Sequence, residues 1–284
     1  MIQALLEPLT YGFMQRGLLA SILVGVLCAV VGCYVVLRSM AFMGDALAHA
    51  ILPGVAIAYL LHGNLLVGAL VAAVLVALGI GFFSRQGMLK EDTAIGILFA
   101  AALSLGVVLI STIRTYALDL THILFGNILG VSPTDLWMCG ILGSIVILTI
   151  ILLYKEFLVI SFDPVLAATL RLPAELLRSL MLILLALTVV VSLQTVGVGL
   201  VAAMLVTPGA TAYLLTRRLT TMMFVSAVLG AFSSVTGLYM SYYLNSASGA
   251  AVVLVATAIF VLAFLFAPRR GVLWNKLRIA RNKG

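Results

Sequence analysis

Long apolar runs separated by short polar segments dominate the chain, and they predict membrane-spanning helices. Each run comes close to the ~20 residues that an α-helix needs to cross ~30 Å of hydrocarbon. The runs lack the alternation of apolar and polar positions that is typical of transmembrane β-barrel strands. We therefore expect an all-α polytopic bundle with about eight or nine spans, at residues 17–37, 41–61, 65–83, 94–113, 136–154, 179–197, 199–216, 222–244 and 249–267.

The composition supports an integral membrane protein and excludes an ordinary soluble domain. Of 284 residues, 64% are hydrophobic and 9% are charged, whereas soluble domains carry about 25% charged residues. No polar segment is longer than a loop, so residues 1–284 are expected to form a single transmembrane domain in the cell membrane. The first 16 residues lack the basic region of a cleaved signal peptide, and we expect them to remain in the mature chain.

The basic residues predict the orientation of the bundle. If the C-terminus lies in the cytoplasm, every Lys and Arg except Arg16 and Arg114 falls on the cytoplasmic side. The positive-inside rule therefore predicts an outside N-terminus and an inside C-terminus. The basic residues that give the net charge of +7 are thus expected to anchor the loops at the membrane. We expect the basic tail, residues 268–284, to contact anionic lipid and no nucleic acid.

The segment MAFMGDALAHAILPG, residues 40–54, places two ionisable side chains inside the second predicted span. Counted from Arg38 at 1.5 Å per residue, Asp45 and His49 lie roughly 10 and 16 Å into the bilayer. An ionisable group at that depth costs at least about 2.5 kcal/mol and indicates a functional site. The alternative is a structural pair that bonds within the bundle.

The spacing and chemistry of this pair predict a metal site. Residues four apart share one helical face, and a carboxylate beside an imidazole suits Mn²⁺, Fe²⁺ or Zn²⁺. Pro53 has no N–H, so the carbonyl of His49 loses its helical bond and can face a cavity. We therefore expect Asp45 and His49 to bind the metal and Pro53 to lie on its path.

A second segment resembles the first. PGVAIAYLL at 53–61 and PGATAYLL at 208–215 are similar, and their spans run in opposite directions in the predicted topology, as inverted repeats do. We expect the seventh span to line the path as well, through Met204, Thr207 and Pro208. Chance similarity in an apolar chain is the alternative.

The longest predicted inner loop, residues 154–179, contains a short helix. Asp163 suits an N-cap and Pro164 the first helical position, and Leu172-Pro173 is expected to stop the helix. It is either an interfacial helix or a docking element for a soluble partner. The chain lacks the Walker sequence of an ATP-binding loop and the HExxH sequence of a zinc protease, so we expect no enzymatic activity of its own.

Three segments, VVLRSMAFMGDALAHAILPGVAIAYLL, LFGNILGVSPTDL and ISFDPVLAATLRLP, resemble the permease subunits of ATP-binding-cassette importers for manganese, zinc and iron. The resemblance covers nearly the whole chain and implies a permease that carries the metal as a transported substrate, with no permanently bound cofactor. It implies a homodimer or a dimer with a paralogue, two cytoplasmic ATP-binding subunits and an extracytoplasmic metal-binding protein. It also implies a coupling helix at 163–172 that contacts the ATPase through Asp163, Pro164, Val165, Leu166, Ala167, Ala168 and Leu170.

The identity of the metal stays open at this point, with manganese favoured by the overall resemblance and zinc or iron as alternatives. An ATP-independent secondary transporter could use the same Asp/His pair. The short helix at Asp163 is the feature that favours an ATP-driven importer.

Overall fold

The computed structural model describes residues 7–84, 90–112, 128–162 and 164–267. Its helices in these ranges are α1 (Gly12–Leu37), α2 (Met43–Ala50), α3 (Leu52–Leu60), α4 (Leu65–Ser84), α5 (Glu91–Ser111), α6 (Pro133–Leu152), α7 (Tyr154–Phe162), α8 (Pro164–Thr169), α9 (Ala174–Val196), α10 (Val198–Leu215), α11 (Leu219–Leu244) and α12 (Ser248–Phe266). The predicted all-α architecture is confirmed. Within the described ranges, nine segments are long and apolar enough to cross a membrane when α2 and α3 are taken as one.

The seventh predicted span forms a helix separate from its neighbour. A single residue, Gly197, connects α9 to α10 with φ 86° and ψ 164°. This backbone conformation is essentially restricted to glycine. The tight connection therefore lets the short α10 leave α9 at once instead of extending it.

Several helix ends differ from the predicted ones for identifiable reasons. Helix α6 begins at Pro133 because the Ser132 hydroxyl accepts a hydrogen bond from the Asp135 N–H while the Asp135 carboxylate accepts one from the Ser132 N–H. This capping box provides hydrogen-bond acceptors for N–H groups at the start of the helix. The pattern of apolar residues alone does not predict it. The predicted inner loop is largely helical, since it contains α7 as well as α8.

Helix α8 is shorter than predicted. It ends at Thr169 instead of near Leu172, and Arg171 adopts a left-handed conformation with φ 52°. The Leu172 N–H donates to the Ala167 carbonyl at 3.0 Å, the long bond of a Schellman motif. The helix therefore ends in its own cap, one turn before Pro173.

Helix α1 lies at the centre of the bundle and packs against α6, α9, α10 and α11. Small residues allow the closest approaches: a Cβ atom placed on Gly32 would lie 1.8 Å from the carbonyl oxygen of Leu205 on α10. The hydroxyls of Ser226 and Ser234 on α11 donate to carbonyl groups of α1, each at 2.9 Å. Close backbone contact and hydrogen bonds between helices are the interactions that hold helices together in a membrane.

The α2–α3 pair lies beside this centre, and glycines hold α3 against its neighbours. A Cβ atom on Gly68 of α4 would lie 2.3 Å from the carbonyl oxygen of Gly54 on α3, and one on Gly54 would lie 2.1 Å from the carbonyl of Gly68. On α5, a Cβ atom on Gly106 would lie 3.2 Å from the Pro53 nitrogen. Helix α3 is therefore fixed between α4 and α5 by contacts that leave no room for a side chain.

We predict that Gly68→Ala lowers the stability of the bundle by about 1–3 kcal/mol, because the new methyl group forces two backbones apart. The measurement is the apparent melting temperature of the purified protein in detergent. Gly96→Ala in α5 is the matched control, since nothing lies within 4 Å of its added Cβ. Equal melting temperatures for the two variants would contradict the predicted contact.

Candidate metal site

Asp45 and His49 lie together on α2, as predicted. The Asp45 Oδ1 and His49 Nε2 atoms are 3.7 Å apart, which exceeds the length of a hydrogen bond. The two side chains therefore face the same region of space without being bonded tightly to each other. A cation between them can be bound by one oxygen and one nitrogen atom.

The pair lies on the open face of an otherwise buried helix. Side-chain exposure is 40% for Asp45 and 30% for His49. The other face is buried and consists of Met43, Gly44, Ala46, Leu47, Ala48 and Ala50. An acid and an imidazole exposed within an apolar span require water, protein or an ion as their neighbour, since lipid tails cannot solvate them.

The chain interrupts its helix directly after His49. Helix α2 ends at Ala50 and α3 starts at Leu52, with Pro53 in its first turn. Because Pro53 has no N–H, the usual bond to the His49 carbonyl is absent; the backbone N–H of Ile51 points to that carbonyl instead. Pro53 itself is buried and contacts Gly106 of α5, so its ring packs against α5 beside the break.

An aromatic residue that the sequence analysis missed supports His49. The ring of Phe99 on α5 lies 6.0 Å from the His49 ring and 5.7 Å from the ring of Phe42, measured between centroids. Such contacts are favourable and directional. Phe99 therefore packs against the imidazole, a contact that the sequence of α5 alone does not predict.

The residues predicted on the seventh span lie on α10. Met204 and Pro208 are buried and Thr207 is partly buried. Helix α10 reaches the metal-site helix through Leu205, whose Cδ1 atom would lie 2.8 Å from a Cβ placed on Gly44. Helix α10 therefore packs against the buried face of the helix that carries Asp45 and His49.

Pro208 disrupts the backbone hydrogen bonding of α10 as Pro53 does beside α2. It lies inside the helix, and its missing N–H removes the bond to the Met204 carbonyl. The Thr211 hydroxyl donates to the Thr207 carbonyl at 2.7 Å. Proline residues thus remove a backbone hydrogen bond within α10 and at the junction of α2 and α3.

Helix α8 lies within the predicted coupling segment, residues 163–172, and packs on α7 and α9. Asp163 and the side chains of Pro164, Val165 and Ala168 lie outside the described part of the structure. Ala167 is buried, whereas Leu166 and Leu170 are 45% and 56% exposed. Two exposed leucines at one end of the bundle form an apolar surface.

The described part of the chain offers only a partial metal site. No group of three or more His, Cys, Asp and Glu side chains that could hold an ion occurs in residues 7–84, 90–112, 128–162 and 164–267. Asp45 and His49 could offer at most two side-chain ligands, fewer than the four to six that transition-metal ions usually take.

The chain is similar to metal-transport proteins over its whole length. The manganese transport system membrane protein MntC of Halalkalibacterium halodurans is 50% identical over 277 residues, which cover 98% of this chain and 95% of the relative. A probable iron transport system membrane protein of Haemophilus influenzae is 41% identical, with coverage of 95% and 99%. The solved structure of PsaBC from Streptococcus pneumoniae in complex with Fab matches with a TM-score of 0.85 and 39% identity, covering 100% of both chains.

The match to a family extends over nearly all of the bundle. Residues 10–267 match the ABC 3 transport family, and this range contains all nine membrane-crossing segments of the described residues. From this match and the close relatives, we conclude that the chain is a multi-pass membrane protein that belongs to the ABC 3 transport family.

Proposed function

We propose that the protein is the permease subunit of an ATP-driven importer of a divalent transition metal, with Mn²⁺ as its main substrate. The observation that carries the proposal is the Asp45–His49 pair, exposed on one face of a helix inside an apolar bundle. The similarity to MntC, whose name describes manganese transport, supports Mn²⁺ as the ion.

Two copies of the chain would complete the site. In a two-fold dimer the same surface of each protomer meets its counterpart, so one Asp45 and one His49 from each chain give two carboxylates and two imidazoles. The two carboxylates repel each other in a medium of low dielectric constant, and a divalent cation between them neutralises that repulsion. A dimer of this chain with a similar paralogue would supply the same ligand set.

The ion is cargo, so the site must also release it. A site divided between two protomers can be opened by moving α2 of one chain away from α2 of the other. Met204, Thr207 and Pro208 on the neighbouring α10, together with Pro53, would border the path that opens. The helix break at Ile51 and the interrupted turn at Pro208 are the places where the backbone can adjust.

Energy for the movement would come from two cytoplasmic ATP-binding subunits. With the N-terminus outside and the C-terminus inside, α8 faces the cytoplasm and presents Leu166 and Leu170 to the ATPase; Asp163, Pro164, Val165, Ala167 and Ala168 complete the proposed coupling segment. An extracytoplasmic metal-binding protein would deliver the ion from the other side. Membership of a family of ATP-binding-cassette proteins favours this scheme over an ATP-independent transporter.

Iron is the second candidate substrate, because two relatives from Haemophilus influenzae are named as probable iron transport system membrane proteins. Oxygen and imidazole ligands accept Mn²⁺, Fe²⁺ and Zn²⁺, and intrinsic affinity increases from Mn²⁺ to Fe²⁺. Selection of manganese would therefore depend on geometry or on the delivering protein. A parallel measurement of all three metals separates the candidates.

We predict that Asp45→Asn abolishes accumulation of the transported metal, because the site loses one anionic ligand per protomer. Cells lacking their own importer would express the variant at matched levels, and cellular Mn, Fe and Zn would be measured together. Asp92→Asn, at an exposed acid near the start of α5, is the matched control. Wild-type accumulation in the Asp45 variant would make the aspartate structural and refute the proposal.

We predict that Leu170→Asp prevents stable assembly with the ATP-binding subunit, because it places a charge in the proposed apolar contact. The measurement is the amount of ATP-binding subunit that copurifies with the tagged permease, expected to decrease by about tenfold or more. Leu61→Asp is the control, at a residue that is 74% exposed near the opposite end of the bundle. Equal recovery with both variants would mean that α8 does not hold the ATPase.

A further inference from the structure

Three charged residues from separate helices meet at the end of the bundle where α8 lies. The Arg38 Nη2 atom is 2.7 Å from Glu91 Oε1, and Arg178 forms an ion pair with the same oxygen atom. Arg178 also donates to the Ser84 hydroxyl at 2.9 Å. The three charged side chains are 12–21% exposed, so solvent screens them far less than it screens surface ion pairs.

One carboxylate therefore holds two guanidinium groups together. Glu91 is the first residue of α5, where the positive end of the helix dipole favours an anion. Burial lowers the pKa of Arg38, and the charge of Glu91 opposes this effect. Without the carboxylate, two largely buried cations would face each other with no counter-ion, which is a costly arrangement.

Each residue of this cluster lies on or next to a segment with a different proposed role. Arg38 directly follows α1, and Asp45 comes seven residues later on α2. Glu91 begins α5, and Phe99 on the same helix contacts the ring of His49. Arg178 lies in the second turn of α9, which follows α8 after a short connection.

The cluster thus joins the helix that follows the proposed coupling segment to α5, which contacts His49 through Phe99, and to the turn that leads into α2. A displacement of α8 would move the start of α9 and with it Arg178. Because Arg178 and Arg38 share one oxygen atom of Glu91, such a displacement would act at the same time on the start of α5 and on the turn between α1 and α2.

We propose that Glu91 is a positioning residue that transmits movement of the ATPase-contacting segment to Asp45 and His49. This inference rests on the proposed function, since it assumes that Asp45 and His49 bind the cargo and that α8 contacts the ATPase. Glu91 does not touch the metal. It determines whether ATP hydrolysis changes the arrangement of the residues that do.

The test uses the complete transporter, with its ATP-binding subunits, reconstituted into lipid vesicles. Three quantities are measured for Glu91→Gln: the affinity of the permease for Mn²⁺, the rate of ATP hydrolysis, and the Mn²⁺ taken up per ATP hydrolysed. We expect the affinity and hydrolysis to stay within about twofold of wild type while uptake per ATP decreases about tenfold or more. Asp92→Asn, the same charge change one residue further on, is expected to leave all three unchanged.

A merely structural role would give a different pattern. If uptake per ATP is unchanged in Glu91→Gln, or if Mn²⁺ affinity and melting temperature decrease in proportion to uptake, the inference is wrong. If Glu91→Gln fails to assemble, Arg178→Lys is tested instead, because it keeps the positive charge at residue 178 while changing the contact with Glu91. This variant must show reduced Mn²⁺ uptake per ATP with normal Mn²⁺ affinity. Wild-type coupling in Arg178→Lys would then overturn the inference.

The proposed function and the proposed role of Glu91 can be refuted independently of each other. A wild-type permease that binds no Mn²⁺, Fe²⁺ or Zn²⁺ would refute the proposed function itself. A wild-type permease that binds Mn²⁺ while Glu91→Gln remains fully coupled would refute only the role of Glu91.

Discussion

A carboxylate cannot remain exposed to lipid tails, and this constraint organises the region around α2. Asp45 and His49 are among the few ionisable side chains within the membrane-crossing segments of the described chain. Placing these side chains in hydrocarbon costs free energy, so they require a polar or charged neighbour. The single chain leaves a substantial fraction of both side chains exposed. In the proposed dimer, a second protomer and a divalent cation would provide that neighbour.

The helix that carries the candidate ligands and the helix that follows it are packed in different ways. Helix α3 is held between α4 and α5 by the close approach of Gly54, Gly68 and Gly106 to backbone atoms. Helix α2 is separated from α3 by the break at Ile51 and packs against α4, α5, α9 and α10. The candidate metal ligands therefore lie on a short helix that ends at a backbone break, and in the proposed transport cycle this break is where the backbone would adjust.

The sequence predicted the spans and the Asp45–His49 pair because both depend on local properties, namely hydropathy and helical spacing. It missed Phe99 and the ion pairs of Glu91, since these contacts join residues far apart in the chain. It also extended α8 too far, because Arg171 adopts a left-handed conformation that an L-residue other than Asn or Asp seldom signals. In the proposed dimer the other half of the metal site comes from a second chain, so the fold of one chain does not show it.

The central claim is that two chains contribute equally to one metal site, and Mn²⁺ bound to the purified permease tests it most directly. Pulsed electron paramagnetic resonance detects nitrogen atoms coordinated to Mn²⁺, and elemental analysis gives the amount of metal per chain. We expect one Mn²⁺ per two chains, coordinated by two equivalent histidine nitrogens. We expect the signals of both nitrogens to be lost in His49→Ala. One Mn²⁺ in every chain, or a Mn²⁺ signal without histidine nitrogen, would contradict it.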